Sequence, residues 1–209
     1  MSQLGGGNPI SPTLPQMEHV AAVVLAYFLG SIDFGVIVPR ALGVDIYTTG
    51  SGNPGASNVF RTMGKKAAGF VLLGDAFKGF VAVGAVEFWI GGATTFAAGF
   101  AVVAGHVLPL FHRFRGGKGV ATAIGAALWL EPIFGLLLAA GWVVVVLATK
   151  KASLASIGAA LLYIPGFAIA GLRGASLLWT AAIAGLVLVR HQSNIRRLLA
   201  GREHRLEAL

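Results

Sequence analysis

Long apolar runs separated by short polar stretches organise the whole chain. The runs lie near residues 18–40, 67–90, 94–111, 119–130, 132–149, 154–171 and 175–190. A helix that crosses a bilayer needs about 20 predominantly apolar residues, and all but the fourth run approach or exceed that length. Glu131-Pro132 cuts the fourth run from the fifth. The fourth therefore reads as a short span or as a partial helix that dips in and returns. The pattern predicts an all-α integral membrane protein of about seven transmembrane helices. Residues 1–17 are rich in Gly and Pro and read as a disordered tail, leaving 18–209 as a single transmembrane domain. The tail lacks the basic region of a signal peptide, so the first run is expected to be retained as a span.

Composition agrees with the pattern. Of 209 residues, 56% are hydrophobic and only 11% charged, with a mean hydropathy of +0.79. That is too little charge to cover a soluble domain of this size. The chain has no cysteine, which excludes a disulfide framework and a thiolate metal site. A net charge of +8 would point to nucleic acid in a soluble protein. In a membrane protein it points to anionic headgroups, anionic substrates and the positive-inside rule.

The basic residues give the layout a direction. Arg40, Arg61, Lys65 and Lys66 follow the first run, Arg113, Arg115 and Lys118 the third, and Lys150 and Lys151 the fifth. Arg190, Arg196, Arg197, Arg202 and Arg205 follow the last. With seven crossings all of these fall on one side, leaving Arg173 opposite and Lys78 inside the second run. The N-terminus is then expected outside and the C-terminus in the cytoplasm.

Three polar stretches on that side carry the candidate chemistry. The first, Gly50-Ser51-Gly52-Asn53-Pro54-Gly55-Ala56-Ser57-Asn58 with Arg61 beyond it, combines exposed backbone amides with hydroxyl and amide groups. Arg61 adds a rigid bidentate donor suited to phosphate. An ordinary polar turn that caps the next helix would use the same amides. The second, Gly105–Thr122, sets Lys118 among Gly116, Gly117 and Gly119. Glycine-rich backbone beside a lysine presents N–H donors and one fixed charge to a phosphate. It is not a Walker A loop, because His112 stands where a glycine is needed and Gly119 follows the lysine in place of Ser or Thr. His106 and His112 share no helix face, and no H-E-x-x-H occurs, so no metal site is expected. The third stretch runs from Arg190 through His191, Asn194 and Arg197 to Glu203. A basic juxtamembrane stop would account for its arginines, but not for His191, Asn194 and Glu203.

Charged residues inside a span are costly and face the protein interior or a wet cavity. Asp75 and Lys78, three apart, can pair structurally or meet a substrate. Ser153 and Ser156, at the start of the sixth run, can cap it or point into a site. Together the stretches fit a small phosphorylated, hydroxyl-bearing metabolite at the membrane surface, with apolar spans beside it for an acyl chain. On these residues alone the chain is an enzyme or a transporter of organic phosphates. A transporter would need polar residues along a path through the bundle, and the third, fifth and seventh runs have almost none.

The strings GSGNPGASNVFR, DAFKG, GHVLPLFHRFRGGKGVAT, SLASI and RHQSNIRRLLAGRE, in this order over about residues 20–205, resemble the bacterial acyl-phosphate:glycerol-3-phosphate acyltransferase family. The resemblance implies a multi-pass enzyme of the bacterial inner (cytoplasmic) membrane with its active site facing the cytoplasm. It also implies transfer of a fatty acyl group from acyl phosphate to the 1-hydroxyl of glycerol 3-phosphate. The products are lysophosphatidate and inorganic phosphate, in the first step of phospholipid synthesis, with no cofactor, metal or nucleic acid involved. Carried onto this sequence, the expected catalytic residues are Ser51, Arg61, His106, Lys118, His191 and Asn194. The expected substrate-binding residues are Gly52, Asn53, Ser57, Asn58, Lys78, Gly116, Gly117, Ser156 and Glu203. No histidine here has an Asp five positions on, the motif of other glycerolipid acyltransferases. The resemblance instead implies that the substrate's own phosphate accepts the hydroxyl proton, with His106 as a general base the competing mechanism. The chain departs from the family pattern at Asp33, where proline is usual, and at Ser57, where threonine is usual and the hydroxyl is kept.

Overall fold

The first apolar run folds as α1 (Thr13–Gly30) and, after a short break, α2 (Phe34–Ala41). The break is built around Asp33, which takes an extended conformation and caps α2 by accepting a hydrogen bond from Gly35 N at 2.9 Å. Asp33, unexplained by the sequence, is thus the N-cap of α2. The computed structural model describes residues 13–206. The expected tail at 1–17 lies mostly outside them, and its last residues belong to α1.

Eight further helices follow: α3 (Ala56–Met63), α4 (Lys65–Trp89), α5 (Ala93–Val107), α6 (Val120–Leu130), α7 (Pro132–Thr149), α8 (Ala152–Ile169), α9 (Gly174–Arg190) and α10 (Gln192–Leu199). A 3-10 turn, Leu110–His112, follows α5. No strand occurs among the described residues. Among the described residues five helical segments are long and apolar enough to cross a membrane, and six if α9 and α10, bent by 58°, are counted as one span. At about 1.5 Å per residue, the 11 residues of α6 reach only about half of a 30 Å hydrocarbon layer. The fourth run is therefore a short helix. Pro132 at the first turn of α7 starts a new helix without giving up an internal hydrogen bond.

Packing is inside-out relative to a soluble bundle. On α7, Ile133, Leu136, Leu137, Val144 and Leu147 are exposed, the large apolar face a lipid environment requires. The interior is largely alanine and valine, with a few larger side chains such as Tyr163 and Phe167. Small residues let helix backbones approach where lipid removes the usual hydrophobic drive. Between α4 and α6 the approach is reciprocal. A Cβ at Gly79 would stand 2.2 Å from Thr122 O, and one at Gly125 would stand 1.9 Å from Ala76 O. This contact fixes the start of α6, and with it the loop that carries Lys118.

Candidate active site

The three polar stretches meet at one end of the bundle. They line a cavity of about 700 Å³ together with residues of α4, α6, α7 and α8.

The 50–58 stretch is braced from within. Asn58, the third residue of α3, accepts a hydrogen bond from Ser51 N and donates one to Thr49 O, each at 2.9 Å. Asn58 is only 1% exposed, so both halves of its amide hold the loop. Expected as a substrate ligand, it lines the cavity and also braces the loop from within. Ser51, Gly52, Asn53 and Ser57 line the cavity around it, and Arg61 joins them from the next turn of α3.

The glycine loop is held from both sides. Its Gly117 N donates to His106 O at 3.2 Å, and Arg190 donates to Gly116 O at 3.1 Å. Tyr47 donates to Arg115 O at 2.7 Å, while the Arg115 guanidinium lies 4.5 Å over the Tyr47 ring. A Cβ at Gly117 would come within 2.2 Å of His106 Nε2, and one at Gly116 within 2.0 Å of His106 O. These glycines let the loop close on His106. Gly116 reaches the cavity; Gly117 lies behind its wall.

Lys118 emerges from this loop and donates to Asn194 Oδ1. Asn194 Nδ2 in turn donates to Glu203 Oε1 at 3.0 Å, and Arg197 donates to Glu203 Oε2 at 3.1 Å. Burial and the positive charges of Arg197, Arg61 and Arg190 pull the Lys118 ammonium down to about 8, with Glu203 opposing them. A buried cation among cations is poorly satisfied until an anion arrives. His191 donates from Nδ1 to Val187 O at 2.8 Å, which fixes the ring and leaves Nε2 for a ligand.

Lys78 and Ser156 both have partners within the protein. Lys78 does not line the cavity; it pairs with Asp75 at 2.9 Å and donates to Ile32 O at 2.7 Å. It ties α4 to the α1–α2 break. Ser156 lines the cavity, but its hydroxyl donates to Ala152 O at 2.7 Å and accepts from Trp142 Nε1 at 3.0 Å. Ser153, one turn earlier, is buried, lines the same cavity and has no hydrogen-bond partner. The sequence offered both serines, and only their rotation about α8 distinguishes them. Arg190, Arg197 and Trp142 also line the cavity. In the sequence the two arginines were indistinguishable from other members of a basic stop.

Asp33, Asp75 and His106 bring three potential ligand atoms within 4.8 Å of one another. The Lys78 ammonium already sits at the Asp75 carboxylate, and His106 Nδ1 is 3.4 Å from the same oxygen. Of the three, Asp75 is thus paired with a cation the protein itself supplies.

The other half of the cavity is apolar. Leu72, Leu73 and Ala76 of α4, Val120, Ile124 and Leu128 of α6, and Ala139, Trp142 and Val143 of α7 form its wall. The site therefore joins a basic, glycine-rich end to an apolar limb.

Comparison with known proteins points the same way. Residues 20–201 match the family model described as glycerol-3-phosphate acyltransferase. The chain is 45% identical over 196 residues to a glycerol-3-phosphate acyltransferase of Burkholderia pseudomallei strain K96243, covering 91% of this chain and 96% of the relative. It is 44% identical over 191 residues to the one of Methylobacillus flagellatus, covering 90% and 96%. Among solved structures it is similar to PlsY, an integral membrane glycerol 3-phosphate acyltransferase, at 39% identity. The TM-score is 0.86 for the glycerol 3-phosphate form and 0.84 for the lysophosphatidic acid form, each covering 90% of this chain and 95% of that one.

Proposed function

The chain belongs to the glycerol-3-phosphate acyltransferase family, and we propose that it acylates the 1-hydroxyl of glycerol 3-phosphate with acyl phosphate as donor. The observation that carries this reading is the two-part cavity, in which basic and glycine-rich loops adjoin an apolar limb between α4, α6 and α7. A phosphate with a hydrocarbon tail and a polar phosphate fit the two parts together.

In the step, the glycerol hydroxyl oxygen attacks the acyl carbonyl carbon and the bond from that carbon to the phosphate oxygen breaks. Inorganic phosphate leaves, and lysophosphatidate forms. The hydroxyl proton passes to the phosphate of glycerol 3-phosphate itself. Acyl phosphate is already an activated anhydride, so the protein's share is positioning and charge neutralisation. Arg61, Lys118 and the amides near Gly52 and Gly116 neutralise phosphate, with the Ser51 and Ser153 hydroxyls as further donors. Asn53, Ser57, His191 and Asn194 orient the glycerol and the donor. His106 takes the same positioning role: it lines the cavity, with Nδ1 facing Asp75 and Nε2 close to Gly117. An imidazole set against a carboxylate is also the arrangement of a general base, which is the competing mechanism. The whole of residues 18–209 acts as one catalytic domain in the bacterial inner membrane, with the site on the cytoplasmic side where the basic loops gather.

The test is turnover by purified protein in detergent with palmitoyl phosphate and glycerol 3-phosphate, without added metal. Acyl-CoA and acyl carrier protein donors are run in parallel. Phosphate release in step with lysophosphatidate from acyl phosphate alone is the expected result. Turnover with a thioester donor and none with acyl phosphate would replace the donor assignment while keeping the family.

A further inference from the structure

After α10 the chain does not leave the bundle. Arg202 N donates to Arg197 O at 2.8 Å, turning the segment back, and Leu206 N donates to Lys150 O at 2.8 Å. The Leu206 side chain is 4% exposed and packs with Val146 of α7 and with Ala152 and Ala155 of α8. Between these two anchors Glu203 and His204 line the cavity. The segment Gly201–Leu206 is thus a strap that runs from α10 to the α7–α8 junction along one wall of the site.

We propose that Leu206 is a positioning residue for acyl transfer: by seating the strap between α7 and α8 it holds Glu203 on Asn194 and Arg197, and so fixes the Lys118 ammonium. The strap is not helical, so its two ends set where the backbone presents Glu203 to Asn194 and Arg197. One end is tied by backbone bonds at Gly201 and Arg202. The other is tied by Leu206 alone among the described residues beyond Glu203. His204 and Arg205 are exposed and supply no anchor. With Leu206 withdrawn, Glu203 loses its fixed bearing, Asn194 loses the acceptor for its Nδ2, and the contact that orients Lys118 is released.

This inference rests on the acyltransferase reading, and wild-type turnover separates the two. Absence of product from folded wild-type protein with any donor sinks that reading. The strap is judged only against wild-type rates. Leu206→Asp in the full chain, its folding checked by gel filtration and thermal melting, is expected to lower kcat/KM for glycerol 3-phosphate about ten-fold, while Leu206→Met stays near wild type. The pH profile separates the proposal from a loosened fold, which would expose Lys118 and move the basic limb to higher pH. Glu203 opposes the downward pull of Arg61, Arg190 and Arg197 on Lys118. Releasing it therefore shifts the basic limb of kcat/KM to lower pH. If Leu206→Asp does not fold, Leu206→Ala, which keeps the backbone bond to Lys150, carries the same measurements. A folded variant with unchanged kcat/KM, or a loss with the basic limb unmoved, overturns the proposal.

Discussion

Lys118 is the residue at which burial and charge bear most directly on rate. Its ammonium is held down to about 8 by burial and by three arginines, against an ordinary value near 10.4. The charged form binds phosphate, so activity belongs below that value and fades as pH rises through it. The profile of kcat/KM, which reports free enzyme, is expected to show a basic limb near pH 8. In the profile of kcat the limb moves higher, because a bound phosphate favours the ammonium. Lys118→Arg, which stays charged at all relevant pH, should remove the limb even where its geometry lowers the rate. Lys118→Ala should lower turnover by about 10²–10³, the scale of losing a charge-stabilising donor. His106→Gln separates the two mechanisms: near-normal turnover fits positioning, whereas a loss comparable to Lys118→Ala identifies His106 as the base.

At the scale of elements, close contact of α4 with α6 decides where the Lys118 loop begins. Gly79 and Gly125 each face a backbone carbonyl of the other helix at a distance no Cβ tolerates. Gly125→Val should push the helices apart and destabilise the protein by about 1–3 kcal/mol, the usual cost of overpacking. Activity should fall with it, read as a lower melting temperature in detergent alongside lower turnover. This contact was invisible in the sequence, where both glycines sit inside apolar runs without distinction. The runs themselves were legible, because a bilayer demands length and hydropathy that any reader of the chain can measure. So were the three polar loops, since clusters of glycine, lysine, asparagine and serine stand out against apolar runs. The roles inside those loops were not. Asn58 and Lys78 read as ligands in the sequence, which gives no sign that both also brace backbone. Ser153 and Ser156 differ only in which hydroxyl the helix and Trp142 have already claimed.

For the whole molecule, the distribution of charge predicts an orientation that chemistry can read. Arg61, Lys118, Arg190 and Arg197 all line the one cavity, while Arg173 lies before α9, across its length from Arg190. The positive-inside rule assigns the cavity end to the cytoplasm because basic loops resist translocation against the membrane potential. The substrates add an independent reason, since a soluble sugar-alcohol phosphate does not cross a bilayer unaided and must be met where it is made. The chain has no cysteine of its own, so a single introduced thiol reports its side without background. Arg202 and Arg173 are both exposed. Arg173→Cys should react with a membrane-impermeant maleimide in intact spheroplasts, and Arg202→Cys should react only after the membrane is opened or in inverted vesicles. The reverse pattern would place the cavity on the outer side, where the enzyme would need an external supply of both substrates. Labelling of both from one side would mean that α9 does not cross.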